Sequence, residues 1–124
     1  MARRDIAGAV DFAHLESYAA GDAAVIDEVL ELFREQVAIW LRLLDPNGPT
    51  QGWRDAAHTL KGSSLGIGAW ALAEVCGQAE AAQDAELGQR ILLLERIRTA
   101  ADAALSDIAA YAHERALQSL KAPR

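Results

Sequence analysis

The sequence predicts an all-α fold: an antiparallel four-helix bundle with a short additional N-terminal helix. Three observations carry that prediction. Alternating β-branched runs are absent, and Ala, Leu and Glu dominate the chain. Apolar residues recur at spacings of three and four along several long segments. Gly, Pro and Asp clusters separate those segments by short stretches, and short connections make successive helices antiparallel neighbours.

The first element is "DFAHLESYAAG", with Asp11 as N-cap and Gly21 ending it. Asp22 caps the second helix, whose stripe is Ile26, Val29, Leu30, Phe33, Val37, Trp40, Leu41 and Leu44. "DPNGPTQG" stops it with two prolines and two glycines in eight residues. A third helix is expected over about 53–67, closed by Gly68. A fourth follows over about 69–83, with Leu72, Val75, Cys76 and Ala79 facing inward. The fifth runs from about Leu87 to near Leu120, with Ile91, Leu94, Ile97, Ala101, Leu105, Ile108 and Ala112 as its stripe. Residues 1–124 read as a single domain with a core over about 11–120 and frayed ends, "KAPR" among them.

Composition narrows the function. The chain has 124 residues, 52% of them hydrophobic and 24% charged, which suits one folded domain with a real core. A net charge of −6 argues against nucleic acid, because phosphate backbones select basic surfaces. One cysteine, Cys76, cannot form an internal disulfide and reads as a buried small hydrophobe. Apolar runs fall short of a membrane span, and "MARRDIAGAV" lacks the apolar segment of a signal peptide. A cytoplasmic monomer is the expectation.

The chemistry concentrates in "HTLKGSSLGIG", from His58 to Gly68. Five of those eleven residues are Gly or Ser, and each helical Gly costs about 1 kcal/mol relative to Ala. At about 100° per residue, His58, Lys61, Gly62 and Leu65 share one helix face. Trp53, Ala56, Leu60, Ser63 and Ile67 share the opposite face, which reads as the core stripe. His58 therefore points to solvent, where a structural histidine ordinarily does not stand. Helical side chains lean toward the N-terminus, so a residue at i+4 overhangs the side chain at i. Gly62 leaves His58 uncovered on that side, and anything larger is expected to crowd it. Lys61 places a cation near whatever the imidazole carries, which suits a dianionic phosphoryl group. Ser63 and Ser64 are suited to packing, their hydroxyls bonding back to the helix, and Ser64 is also a candidate phosphoryl contact. Gly66 and Gly68 suit a helix end.

Around this run, "AAHTLKGSSLGIGAWALAEVCGQAE" resembles the signature of histidine-containing phosphotransfer (HPt) domains. The likeness lies in His-x-x-Lys-Gly-Ser-Ser, then Gly68-Ala69, then Leu72, Cys76 and Glu80. It implies a four-helix bundle in which His58 accepts a phosphoryl group from the aspartate of one receiver domain and passes it to another. Lys61 is then expected to stabilise phosphoryl charge and Gly62 to keep the approach clear. The resemblance also implies that Glu80 holds the Nδ1–H of the imidazole and leaves Nε2 as nucleophile. The implied partners are response-regulator receiver domains and a sensor or hybrid histidine kinase.

Imidazole is nucleophilic at neutral pH, and phosphoryl transfer asks mainly for positioning and charge neutralisation. The chain offers no carboxylate cluster for Mg²⁺, so the metal is expected from the receiver and no cofactor from this chain. Neither a phosphate-binding loop nor a kinase signature occurs, so the expected role is a phosphocarrier without ATP-dependent kinase activity. The alternative is an HPt-like module that regulates a receiver or kinase by docking alone. His14 and His113 lack metal-ligand spacing and read as surface or boundary residues, and Trp40, Trp53 and Trp70 read as packing.

Overall fold

A computed structural model describes residues 7–121. Among these the fold is entirely helical: α1 (Phe12–Tyr18), α2 (Ala23–Leu43), α3 (Thr50–Ile67), α4 (Trp70–Ala81) and α5 (Leu87–Lys121). The expected fraying of "KAPR" falls mostly on residues 122–124, outside the described residues, as do residues 1–6.

Capping follows the polar residues that the sequence supplies. Asp11 accepts from His14 N at 3.1 Å, and Asp22 accepts from Ala24 N and Val25 N at 3.0 and 3.2 Å. Gly68 ends α3 at φ 84, and the next amide, Ala69 N, reaches back to Ser64 O at 2.9 Å. A side chain at Gly68 is doubly excluded, because its Cβ would stand 2.8 Å from Asp11 O. Asp11 N donates to Gly68 O at 2.9 Å, so this turn also docks the start of α1.

Helices α2 to α5 form the bundle, each packed on its sequence neighbour, with α2 and α5 closing the ring. The directions alternate. Trp53, near the start of α3, donates its indole N–H to Ala79 O near the end of α4 at 2.8 Å. At one end of α5, Arg90 reaches the α2–α3 connection, and at the other Arg115 pairs with Asp27 at the start of α2. The shared core includes Leu30, Phe33, Val37, Trp53, Leu60, Leu72 and Ile97. The N-terminal arm is tied to α5 by Asp107, a buried carboxylate that accepts from Ala7 N at 2.7 Å and Val10 N at 3.1 Å. Phe12 stacks on Tyr111 at 4.1 Å.

Several boundaries and stripes differ from expectation. Helix α3 starts at Thr50, because Pro49 is extended and its carbonyl opens the helical ladder by accepting from Trp53 N. Helix α4 ends at Ala81, and the carbonyl of Gln83 is turned to Arg90 instead. On α5 the buried set is Leu93, Ile97, Ala101, Ala104, Ile108 and Tyr111, with Ile91 exposed.

Cys76 is fully buried, and burial pushes its thiol up to about 12. The thiolate is the reactive species. In the folded protein Cys76 is therefore expected to resist maleimide at neutral pH and to label fully in guanidinium. Fast labelling of the folded chain would contradict this packing.

Candidate functional site

Gly68 lies ten residues after His58 and twelve before Glu80. Its tight turn folds α4 back along α3, so the two side chains meet across the helix pair. Small residues make the approach close: Ala57 and Ser64 on α3, Ala73 and Cys76 on α4, all buried. The His58 side chain is 68% exposed. Its Nδ1 lies 2.8 Å from Glu80 Oε2, and Lys61 Nζ lies 3.0 Å from Glu80 Oε1. Three residues that the sequence singled out, His58, Lys61 and Glu80, thus share one cluster.

The protonation states follow from the donors. A hydrogen bond from Lys61, joined by one from His58, outweighs partial burial and holds the Glu80 carboxyl below its usual range. An ionised carboxylate only accepts, so Nδ1 carries the ring hydrogen. In the neutral ring the lone pair then sits on Nε2, away from Glu80. By linkage, a carboxyl with a depressed folded value stabilises the fold above its ordinary range and loses that contribution as pH falls through the depressed value. The pair is therefore intact at neutral pH.

Gly62 is exposed, and a Cβ there would meet nothing within 4 Å. That removes close helix packing as the reason for the glycine. It also corrects the expectation that any larger residue crowds His58, because the first carbon stands clear and crowding begins beyond it. Gly62→Ala is therefore expected to raise stability by about 0.5–1 kcal/mol, the helix-propensity gain. Gly62→Phe should slow phosphoryl transfer by about tenfold or more, since small misplacements at a reacting centre cost that much. Melting curves and transfer rates of the two variants check both; an unslowed Phe variant would leave the glycine unexplained.

Ser64 does not join the site. It is fully buried, and its hydroxyl donates to Leu60 O at 2.7 Å, one turn back. The buried arc of α3 is rotated toward α4 relative to the sequence reading, taking in Ala57 and Ser64 and leaving Ser63 half-buried. The cause is the close packing of α4 against that side of α3. Gly66, expected at the helix end, stays helical and exposed. His14 stands apart, its ring edge against Trp70 at 4.9 Å. Among the described residues, no group of three or more His, Cys, Asp or Glu side chains could hold a metal ion.

Two features went unread in the sequence. Gly77 on α4 carries the stem of Lys61: a Cβ there would lie 3.5 Å from Lys61 Cδ. A lone helical glycine five residues after the apolar stripe begins at Leu72 is the signal that marks it. A shallow groove of about 320 Å³ also runs between α2 and α3, with Tyr18, Val29, Leu32, Ser63 and Gly66 in its lining. Gly66 lies one turn beyond Gly62, so the groove opens beside the histidine face. Its signal is the second apolar series on α2, Val25, Leu32, Ile39 and Leu43, which repeats at helical spacing and stays exposed.

The fold has counterparts among known proteins. Residues 23–111 match the Hpt domain family. A solved structure, the histidine phosphotransferase ShpA from Caulobacter crescentus, is 60% identical to the chain. The alignment covers 91% of this chain and 99% of ShpA, with a TM-score of 0.76. No curated protein matches.

Proposed function

The chain belongs to the Hpt domain family and is a phosphorelay phosphocarrier, and we propose that His58 is its phosphoacceptor. One observation carries the assignment: an exposed imidazole whose Nδ1 is tied to a carboxylate, so that Nε2 faces solvent as the nucleophile. The proposed step is in-line attack. The Nε2 lone pair forms the N–P bond while the P–O bond to a receiver aspartate breaks, and that electron pair stays with the aspartate. The ring retains its Nδ1 hydrogen and becomes cationic, with Glu80 opposite. Onward transfer reverses the step with a second aspartate. Gly62 leaves the approach to Nε2 open.

The partners fit that chemistry. Response-regulator receiver domains deliver and accept the group, and a sensor or hybrid histidine kinase charges the relay. A receiver seated over His58 covers the groove between α2 and α3. It brings the Mg²⁺ that neutralises the phosphoryl oxygens, and this chain binds no cofactor. The chain itself uses no ATP, acts as a monomer and works in the cytoplasm; no helix among the described residues is long and apolar enough to cross a membrane.

Incubation with a phosphorylated receiver tests the reading. Acid-labile, alkali-stable label on the chain is the expected result. Binding of the receiver with no label transferred would replace it with a docking module that regulates without transfer.

A further inference from the structure

We infer that Lys61 acts as a positioning residue, working through Glu80 on the His58 ring rather than on the phosphoryl group, and that Gly77 sets its place. This rests on His58 being the phosphoacceptor. The three groups stand in series. Lys61 Nζ meets one oxygen of the Glu80 carboxylate at 3.0 Å, and the other oxygen accepts from His58 Nδ1 at 2.8 Å. The reacting nitrogen, Nε2, lies on the far side of the ring from that contact. Phosphoryl group and ammonium therefore occupy opposite ends of the series.

The lysine stem is built to run that way. It crosses from α3 toward α4, with its Cδ over Gly77, at the distance where an added Cβ would just touch it. A lysine is a compact point charge with a flexible stem, and here that charge is matched by Glu80. Reaching for the phosphoryl group would break the pair and leave an uncompensated carboxylate beside an incoming dianion. Remaining on Glu80, the ammonium cancels that repulsion and fixes the carboxylate against Nδ1–H. The ring is then held in the tautomer whose Nε2 lone pair can attack. The Glu80 side chain is 22% exposed and Lys61 35% exposed, so the pair is partly sheltered while the ring is not.

A double-mutant cycle on the rate of transfer from a phosphorylated receiver decides the role. The four chains are the parent, Lys61→Met, Glu80→Ala and the double variant. Each single substitution is expected to slow transfer about tenfold, and Lys61→Met should cost nothing further once Glu80 is Ala, the signature of groups in one network. A lysine that binds the phosphoryl group directly predicts the reverse: an undiminished loss in the Glu80→Ala background. A second readout is independent of the rate. Nitrogen NMR of the unphosphorylated parent should show the neutral ring as the Nδ1–H form, and Lys61→Met should raise the Nε2–H share. An unchanged spectrum would overturn the inference. Gly77→Val should displace the stem and reproduce Lys61→Met, whereas Gly77→Ala should not; a Gly77→Val chain with parental rate and spectrum counts against the placement. If the parent takes no label at all, the assignment of His58 fails. Label with multiplicative losses and an unchanged tautomer removes only the role given to Lys61.

Discussion

His58→Gln is expected to abolish acceptance of label from a phosphorylated receiver while leaving the melting temperature within about 2 °C of the parent. Both halves come from the same placement. The side chain is 68% exposed and packs into no core position, so its removal opens no cavity. Its polar partner survives the change, because Glu80 keeps the Lys61 ammonium on its other oxygen. Glutamine is polar and tolerated at an exposed helical site, but its amide is no nucleophile. His14 and His113 cannot substitute. His14 lies at the α1 end against Trp70, and His113 stands on α5, away from the α3–α4 cluster. Residual transfer at a tenth of the parental rate would place the chemistry elsewhere, and a large loss of melting temperature would mean the ring is structural.

Arg90→Met is expected to have the largest effect on stability, about 3 kcal/mol, or a fall in melting temperature of about 10 °C. Arg90 is 6% exposed, yet all of its hydrogen-bond acceptors are uncharged. One terminal nitrogen donates to Pro46 O at 3.3 Å and Gly48 O at 3.1 Å. The other donates to Thr50 Oγ1 at 3.3 Å and Gln83 O at 2.5 Å. The guanidinium also lies over the Trp53 ring, 5.2 Å from its centroid. A single fork thus closes the α2–α3 and α4–α5 connections onto a fully buried tryptophan. Methionine fills much of the volume but removes four hydrogen bonds to half-buried or exposed acceptors on the two connections, and those lost bonds are the larger part of the cost. Arg90→Lys should fall between, since one ammonium cannot span both connections as the planar fork does. Thr50 lies eight residues before His58, about 12 Å along α3. Transfer measured well below the melting temperature should accordingly be near parental. A shift of only a degree or two would show that the connections hold without Arg90.

That arginine also shows where sequence reading stops. Helix α5 contains Leu92, Leu93 and Leu94 in succession, so hydropathy accepts several rotations of the helix. The rotation adopted buries Leu93, Ile97, Ala101, Ala104, Ile108 and Tyr111, and it carries Arg90 and Asp107 inward with them. Apolar periodicity cannot choose a phase that buries two charges, because their compensation comes from distant backbone groups. The packing role of Ser64, with its hydroxyl bonded back to the helix, was legible, but its place in the core and away from the phosphoryl site was not, for a related reason. A hydroxyl that bonds its own helix at Leu60 O behaves as a small core residue, and the α4 packing that covers it is a tertiary fact. The fold class, by contrast, was legible, because Asp11, Asp22, Pro49 and Gly68 act locally on the backbone. His58, Lys61 and Gly62 were legible because they share one face of one helix opposite its apolar stripe. Glu80 required the family likeness, since its meeting with His58 depends on the turn at Gly68. Gly77 matters only once the Lys61 stem is seen lying across it.

The account turns on a single atom, Nε2 of His58. The most direct measurement is phosphorus NMR of the chain after transfer from a receiver, with peptide mapping to locate the residue. The account predicts one phosphohistidine, at His58, bonded through Nε2. A phosphoryl group on Nδ1, or on His14 or His113, would contradict it.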